Sequence, residues 1–311
     1  MARVFSFLSV LAVLGVLFVL FSCSSSGGSI YVSTTGNDAN DGLSPSKPVR
    51  TLVKAVRVAN TIDKAVNVVI KVSGGLYTPG NGLSNANVGL VINRPNVIIS
   101  GGWNSDFTSV IGKSEFDGNN SLYHIIKIEN VTNVILKNLV IRGGNANGSN
   151  PDDGGGGVYV NNVRYLTIES NVIISDNSAN FGGGLLLYVS ANNAISANVY
   201  SNSAVYNGGG LYLIYSTNNT VNSSVYNNSA SAWGGGVFLD SSTSNTISGS
   251  VYGNTANYGG GVYLYNSDYF TNTGWITNNH ANVSGGGVYT NDLHPNSYFG
   301  DVSGNSPNNF N

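Results

Sequence analysis

Charge is scarce in this sequence, and basic charge is confined to its first part. Only 9% of the residues are Asp, Glu, Lys or Arg, where about 25% is usual, and no Lys or Arg follows Arg164. A surface without cations repels phosphate groups, so nucleic acid is excluded as a partner of the second half of the chain. Cysteine occurs once, at Cys23, which excludes an intrachain disulfide.

The 3.6-residue apolar spacing of an amphipathic helix is absent from the second half, and a much longer period takes its place. Two markers recur in phase every 25–27 residues. The first is a glycine triplet before an apolar residue, starting at Gly155, Gly182, Gly208, Gly234, Gly259 and Gly285. The second is an asparagine with alanine two residues later, at Asn177, Asn202, Asn228, Asn254 and Asn279. A fixed period of this length predicts a solenoid.

A short alternation follows each triplet, as in Val158-Tyr159-Val160 and Leu211-Tyr212-Leu213. Alternation of period 2 indicates a β-strand, and each unit has room for about three short strands. One coil cannot bury its apolar face alone, so coils must stack with equivalent strands in parallel, about 4.8 Å apart. The sequence therefore predicts an all-β fold, a parallel β-helix over residues 67–311 with roughly nine coils and regular repeats at about 155–290.

The repeat also resembles that of a known family, in the pattern Val225-x-x-Asn228-x-Ala230-x-x-x-Gly234-Gly235-Gly236-Val237. This is similar to the Phe-x-x-Asn…Gly-Gly-Ala-Ile repeat of polymorphic outer-membrane proteins and related right-handed parallel β-helices. Val or Ile here replaces the Phe, and a third Gly replaces the Ala. The resemblance implies a right-handed solenoid and, because many such relatives are surface adhesins, a role in adhesion to a host or a neighbouring cell.

The first residues predict export. Residues 1–23 contain Arg3, an apolar run and Leu20-Phe21-Ser22-Cys23, which resembles a bacterial lipobox with Cys23 as the site of lipid attachment. A plain signal peptide or one anchor helix is the alternative. Residues 24–29 are predicted to be a Ser/Gly tether. The expected location is the bacterial cell envelope, at the outer membrane or cell surface, with the lipid as the sole membrane contact.

Residues 30–66 are predicted to form an N-terminal cap, with an amphipathic helix over 51–60 that covers the open end of the first coil. Asp38, Asn40 and Asp41 offer oxygen atoms for Ca²⁺. A turn rich in Asp, Asn and Gly is the favoured interpretation, and no metal or cofactor is predicted. The polar end, residues 293–311, lacks both repeat markers and is expected to be a loose cap or a frayed tail.

Catalytic chemistry is weakly indicated. Hydrolysis of a glycosidic bond needs two carboxylates about 5–10 Å apart, and Asp240 and Asp268 come closest, 28 residues apart, which is one coil plus two positions. A site could also form where charges cluster in the earlier coils, among Lys113, His124, Lys127, Arg142 and Arg164, whereas Asp152-Asp153 is a lone acidic pair. No catalytic residue is predicted, and a polysaccharide lyase or hydrolase is kept as an alternative.

Aromatic residues carry the functional hypothesis. The middle residues of the strands after the triplets should point outward and line one face: Tyr159, Leu186, Tyr212, Phe238, Tyr263 and Tyr289. A second row, Tyr200, Tyr226 and Tyr252, should lie on another face. Exposed aromatic rings beside Asn and Ser suit stacking on sugar rings, so a non-catalytic binder or adhesin with a glycan ligand is predicted. The alternative is a structural surface protein whose aromatics only stabilise the sheet.

Overall fold

Each repeat forms one coil of four short strands. A computed structural model describes residues 27–84, 86–291 and 296–311. One coil consists of Ala194–Ile195, Asn198–Tyr200, Ser203–Asn207 and Leu211–Ile214. The sequence predicted three strands per unit. A fourth is present because Ser201, in the left-handed region with φ 54°, separates the strand Asn198–Tyr200 from Ser203–Asn207.

Stacked coils build three sheets. The first contains nine strands: Ser29–Val32, Val68–Ser73, Val97–Trp103, Thr132–Lys137, Arg164–Ile168, Ala194–Ile195, Thr220–Val221, Thr246–Ile247 and Thr271–Asn272. The third contains eight: Val88–Ile92, His124–Glu129, Val158–Asn161, Leu185–Tyr188, Leu211–Ile214, Val237–Asp240, Val262–Tyr265 and Val288–Thr290.

The second sheet has fifteen strands and divides into two branches at Leu139–Ala146, which pairs with both. Earlier members of this sheet are Gly75–Pro79, Gly82–Leu83 and Ser114–Leu122. The first branch continues with Ile173–Ser175, Asn198–Tyr200, Ser224–Tyr226, Ser250–Tyr252, Trp275–Thr277 and Asp301–Ser303. The second branch continues with Ser178–Phe181, Ser203–Asn207, Ser229–Ala230, Thr255–Tyr258 and His280–Ser284.

Equivalent residues of successive coils lie directly in register. In the third sheet Tyr212 pairs with Phe238, and Phe238 with Tyr263, in parallel strands. The apolar core runs along the inside of the coils; its row in the first branch, Ile174, Val199, Val225, Val251 and Ile276, is fully buried. Burying each such side chain contributes about 1.5–3 kcal/mol. The predicted all-β parallel β-helix is confirmed.

The glycine triplet makes the corner between the second branch and the third sheet. Its first glycine has positive φ in all six repeats, from 60° at Gly182 to 69° at Gly155, a conformation that glycine adopts without steric cost. The other two are constrained by the neighbouring coil. A Cβ on Gly236 would lie 2.6 Å from the carbonyl oxygen of Gly261. The triplet is therefore a requirement of close stacking at this corner.

Buried asparagines of successive coils stack up the axis. Asn228 Nδ2 donates to Asn254 Oδ1 at 3.0 Å, and the same bond links Asn177, Asn202, Asn228, Asn254, Asn279 and Asn305. A second ladder joins Asn193, Asn219 and Asn245 and ends where Phe270 enters the core. Serines, which the sequence analysis missed, form a third at Ser190, Ser216, Ser242 and Ser267. These ladders satisfy the buried polar groups of the turns.

The N-terminal helix is Leu52–Ala59, with the Thr51 hydroxyl accepting from Lys54 N at 3.1 Å as its N-cap. Its buried face packs against the strands Ser29–Val32 and Val88–Ile92. The predicted helix is thus present, and its role as a cap stays a prediction.

The C-terminal residues 296–311 form a strand and hydrogen bonds that the sequence did not predict. Asp301–Ser303 adds a strand to the first branch, and Asn305 extends the long asparagine ladder. Asn309 Oδ1 then accepts from both the backbone N and Nδ2 of Asn305, each at 3.1 Å. The expectation of a frayed tail is wrong, because asparagine side chains occupy the hydrogen-bonding positions of a further coil.

Candidate functional site

The aromatic row after the glycine triplets is covered, which corrects the expectation that it faces solvent. The exposed fraction of Tyr159, Tyr212, Phe238 and Tyr263 is 1–6%, and Tyr289 is half-buried. These side chains do point away from the main core, since together with Leu186 they form a separate hydrophobic cluster. They are buried because the outer face of the third sheet meets the outer face of the second branch in a re-entrant corner.

Aromatic side chains from the second branch cover this row. The residue just before a triplet is aromatic at Phe181, Trp233 and Tyr258. The Phe181 ring lies 6.0 Å from that of Tyr212, and the Trp233 ring stacks 5.5 Å from that of Tyr263. We call the row and its covering rings the aromatic corner: Tyr159, Leu186, Tyr212, Phe238, Tyr263, Tyr289, Phe181, Tyr206, Trp233 and Tyr258. The recurrence of aromatic residues before the triplets is visible in the sequence and indicates these covering rings.

The solvent-facing rim of this corner is also aromatic. Tyr206 of the second branch is 50% exposed and Trp233 is 38% exposed. On the other side, the end of the third sheet contributes Tyr188, Tyr215 and Tyr265, which are 37%, 55% and 38% exposed. The rings that a ligand would reach are therefore these five.

Asp240 lies beside the aromatic corner, in contact with Tyr212. Asp240 ends the strand Val237–Asp240 and is half-buried. Tyr212 Oη donates to its Oδ2 at 3.0 Å and Ser241 Oγ donates to its Oδ1 at 2.9 Å. Burial, followed by the Asp240 charge, raises the pKa of Tyr212, so the phenol keeps its proton and acts as a donor. Asp240 is thus a hydrogen-bond acceptor held in place beside aromatic rings.

The pair Asp240 and Asp268, considered for hydrolysis, does not occupy equivalent positions. Asp240 pairs with Tyr265 in the third sheet, whereas Asp268 lies three residues later, in the turn, where its backbone oxygen accepts from Ser244 N. The two residues are out of register along the coil axis, which gives no support to a two-carboxylate mechanism.

The second aromatic row, Tyr200, Tyr226 and Tyr252, lies on the first branch as predicted. Successive ring centroids are 4.9 and 5.0 Å apart, with interplanar angles of 18° and 4°. Because each ring stacks on the next, the faces that could hold a sugar are occupied by neighbouring rings along most of the row. This geometry favours a stabilising role for the tyrosine ladder.

The structure brings His124 and Asp152 together. His124 is fully buried, and its Nδ1 lies 3.1 Å from the Gly155 carbonyl oxygen, an acceptor, so Nδ1 carries the proton. Its Nε2 lies 3.4 Å from Asp152 Oδ1 without hydrogen-bond geometry. Burial lowers the pKa of His124 against the smaller opposing effects of the Gly155 hydrogen bond and Asp152. A neutral imidazole sealed from solvent is not placed to act on a substrate.

The remaining candidate charges lie on different sheets, and Arg142 and Lys127 form ion pairs with nearby carboxylates. Arg142, on the second sheet, contacts Glu115 and lies 2.8 Å from Asp117. Lys127, on the third sheet, lies 3.2 Å from Glu129. Arg164 begins a strand of the first sheet and is exposed. Lys113, His124, Lys127, Arg142 and Arg164 therefore do not form one site.

The weak calcium candidates are engaged in turns. Asp38 accepts from the backbone N of Arg50 and Thr51, at 2.8 and 2.9 Å, and from the Thr51 hydroxyl. Burial alone would raise the pKa of Asp38, but these hydrogen bonds outweigh it and lower the pKa. Asn40 donates to the Pro48 carbonyl, and Asp41 accepts from Leu43 N. Across residues 27–84, 86–291 and 296–311, no three His, Cys, Asp or Glu side chains are grouped to hold a metal ion.

The predicted signal segment 1–23, its lipid-bearing Cys23 and residues 24–26 of the tether lie outside the described residues. In the part of the chain that is described, no helix has the length and apolar character needed to cross a membrane.

Comparison with known proteins identifies the architecture. Residues 124–301 match a family model described as a right handed beta helix region, which is more than half of the 311 residues. No curated protein matches the sequence significantly.

Proposed function

The chain belongs to the right-handed beta-helix family, and from that premise we propose that it is a non-catalytic surface protein that binds a glycan. The proposed site is the rim of the aromatic corner and not its buried row. Exposed rings with hydroxyl, amide and carboxylate groups beside them are the usual means of holding sugar rings, which have apolar faces and polar edges.

The observation that carries the proposal is the exposure of five aromatic rings on the second branch and at the end of the third sheet: Tyr188, Tyr206, Tyr215, Trp233 and Tyr265. The buried row beneath them supplies a rigid base. Tyr212 and Phe238 lie 4.9 Å apart, and Tyr263 and Tyr289 also 4.9 Å. Large aromatic residues on a rigid support lose little conformational entropy when a ligand binds.

Replacing Tyr215 tests whether the exposed rings bind a ligand or only stabilise the fold. Its φ is 50°, in the left-handed region that a bulky residue rarely adopts and that asparagine tolerates well. Equivalent corner positions hold Asn162, with φ 52°, and Asn266, with φ 47°. The same corner holds Val189 and Ser241 with φ 50° and 48°, so an asparagine in place of Tyr215 should fit the backbone and remove only the ring.

The test is Tyr215→Asn, with Tyr269→Asn as its matched control. Tyr269 is also 55% exposed and has φ 54°, but it lies on the turn that leads into the first sheet, away from the aromatic corner. Both substitutions should leave the thermal midpoint unchanged or raise it. Glycan-array retention and isothermal titration on the full-length protein in detergent should show binding about tenfold weaker, or about 1.4 kcal/mol, in Tyr215→Asn alone.

Three results would overturn the proposal. Equal binding by the two variants would remove the aromatic corner as the site. Retention of no glycan at all would leave a structural surface protein, whose aromatics only pack. Released reducing or unsaturated ends would make the protein an enzyme.

We also propose, from the sequence, that the protein is exported and anchored to the cell envelope by a lipid on Cys23. The full-length protein should show globomycin-sensitive processing, and Cys23→Ala should abolish both processing and membrane attachment. A Cys23→Ala protein that is processed and retained like the wild type would contradict the anchor and favour a plain signal peptide or an anchor helix.

A further inference from the structure

Formal charge in the coils from Tyr165 onward, which include Asp240, is only negative when histidine is neutral. No Lys or Arg occurs from Tyr165 to Asn311, and the ion pairs found within the described residues all lie at or before Asp152. Asp240 therefore has no protein cation to neutralise it in these coils. Its neighbours along the outer face of the third sheet are Ile214 in the preceding coil and Tyr265 in the next.

The two hydrogen bonds to Asp240 orient it and leave it able to accept more. Tyr212 and Ser241 each donate to a different carboxylate oxygen, and each oxygen has a second lone pair. The side chain is half-buried, so a charge opposite it would be screened less than on an open surface. A carboxylate oriented in this way favours a hydrogen-bond donor, and most of all a charged one.

Exposed aromatic residues flank this carboxylate. Tyr265, which is 38% exposed, is the register partner of Asp240 in the next coil, and Tyr215, which is 55% exposed, donates its backbone N–H to the Asp240 carbonyl oxygen. The faces of aromatic rings attract cations through their quadrupole. Carboxylate and rings together, with no Lys or Arg to compete, form a site for an ammonium group.

We propose that the ligand of the aromatic corner is a glycan with free amino groups, such as a polymer of de-N-acetylated hexosamine, whose ammonium group binds Asp240. The inference rests on the proposed function and specifies the charge of its ligand. It also states what the site rejects. A uronic acid chain would bring carboxylates to Asp240 with no cation to offset the repulsion, so acidic polysaccharides should bind poorly.

The test compares three oligosaccharides of equal length on the full-length protein: glucosamine, N-acetylglucosamine and a uronic acid. Titration calorimetry should give about tenfold tighter binding of the glucosamine oligomer than of its acetylated form, as expected for a charge-assisted hydrogen bond. The preference should fall as salt rises, because salt screens the charge. It should also fall as the pH is raised until the sugar amines lose their protons.

Asp240→Asn should abolish the preference for the glucosamine oligomer over its acetylated form. The affinities for the two oligomers should then differ by less than about threefold, and the affinity for the acetylated oligomer should not change. The control is Asp301→Asn, which removes the same charge from an exposed position on the first branch. It should keep the preference. Thermal midpoints of both variants check that the fold is retained.

Each contrary outcome has a distinct meaning. Equal binding of the amino and acetylated oligomers by the wild type would refute the inference and leave the proposed function standing, as would a preference that survives in Asp240→Asn. Tighter binding of the uronic acid oligomer would also refute it. Failure of all three oligomers, and of the wider glycan array, would refute the proposed function itself.

Discussion

Replacing Asn228 with alanine should strongly destabilise the solenoid, since this side chain is 1% exposed and lies in the middle of the long asparagine ladder. Its Nδ2 donates to the Val199 carbonyl oxygen and to Asn254 Oδ1, both at 3.0 Å. Its Oδ1 accepts from Asn202 N and Asn202 Nδ2, also at 3.0 Å. Asn228→Ala removes all four hydrogen bonds.

The expected loss of stability depends on which hydrogen-bonding groups are left without a partner after the substitution. Asn202 Nδ2 keeps the carbonyl oxygens of Ile174 and Tyr200 as acceptors, but its backbone N loses the acceptor that Asn228 provides. A typical hydrogen bond contributes about 1 kcal/mol net, and a buried donor left unsatisfied costs about 1–3 kcal/mol. We therefore expect the free energy of unfolding to fall by about 3–5 kcal/mol, with part of this from the small cavity that alanine leaves.

Urea denaturation followed by far-ultraviolet circular dichroism measures this change through the midpoint and the m-value. The matched control is Asn222→Ala in the same coil. Asn222 is exposed, its side chain makes no hydrogen bond within the described part of the chain, and its loss should change stability by less than about 0.5 kcal/mol. If the two variants lie within about 1 kcal/mol of each other, the ladder is not a major source of stability.

Two further predictions concern a titrating group and the glycine corner. Burial lowers the pKa of His124 from its usual 6.5, so the unfolded chain binds the proton more readily than the folded protein does. The contribution of His124 to the free energy of unfolding is therefore fully present above about pH 6.5. It falls as the pH drops below that value, by at most about 1.4 kcal/mol per pH unit. The wild type minus His124→Gln difference in unfolding free energy should show this slope. A difference that does not change with pH would contradict the assignment. Gly236→Ala should lower the thermal midpoint by many degrees, because the new Cβ would lie 2.6 Å from the Gly261 carbonyl oxygen. The control is Gly112→Ala at an exposed position, where no atom lies within 4 Å of the new Cβ, and it should leave the midpoint unchanged. An unchanged midpoint in Gly236→Ala would show that the corner has room for a side chain.

The candidate site was only partly predictable. Alternation in Leu211-Tyr212-Leu213 correctly separated inward from outward side chains. It could not tell whether an outward side chain meets water, because that depends on the angle between two strands joined by a glycine triplet. Tyr212 and Phe238 are outward and yet buried, whereas Tyr215, one residue past the end of its strand, where the two-residue alternation stops, is exposed.

The sequence by itself determined the solenoid. A 26-residue recurrence of Gly, Asn and apolar residues permits one stacking register, because a slip of one residue would turn each apolar row outward and break each asparagine ladder. The tertiary structure alone decided which aromatic rings face solvent, that Asp240 lies beside Tyr212, and that His124 meets Asp152. These contacts join different strands or different coils, and their geometry is set by the left-handed corner residues that turn the chain, whose angles no side-chain pattern encodes.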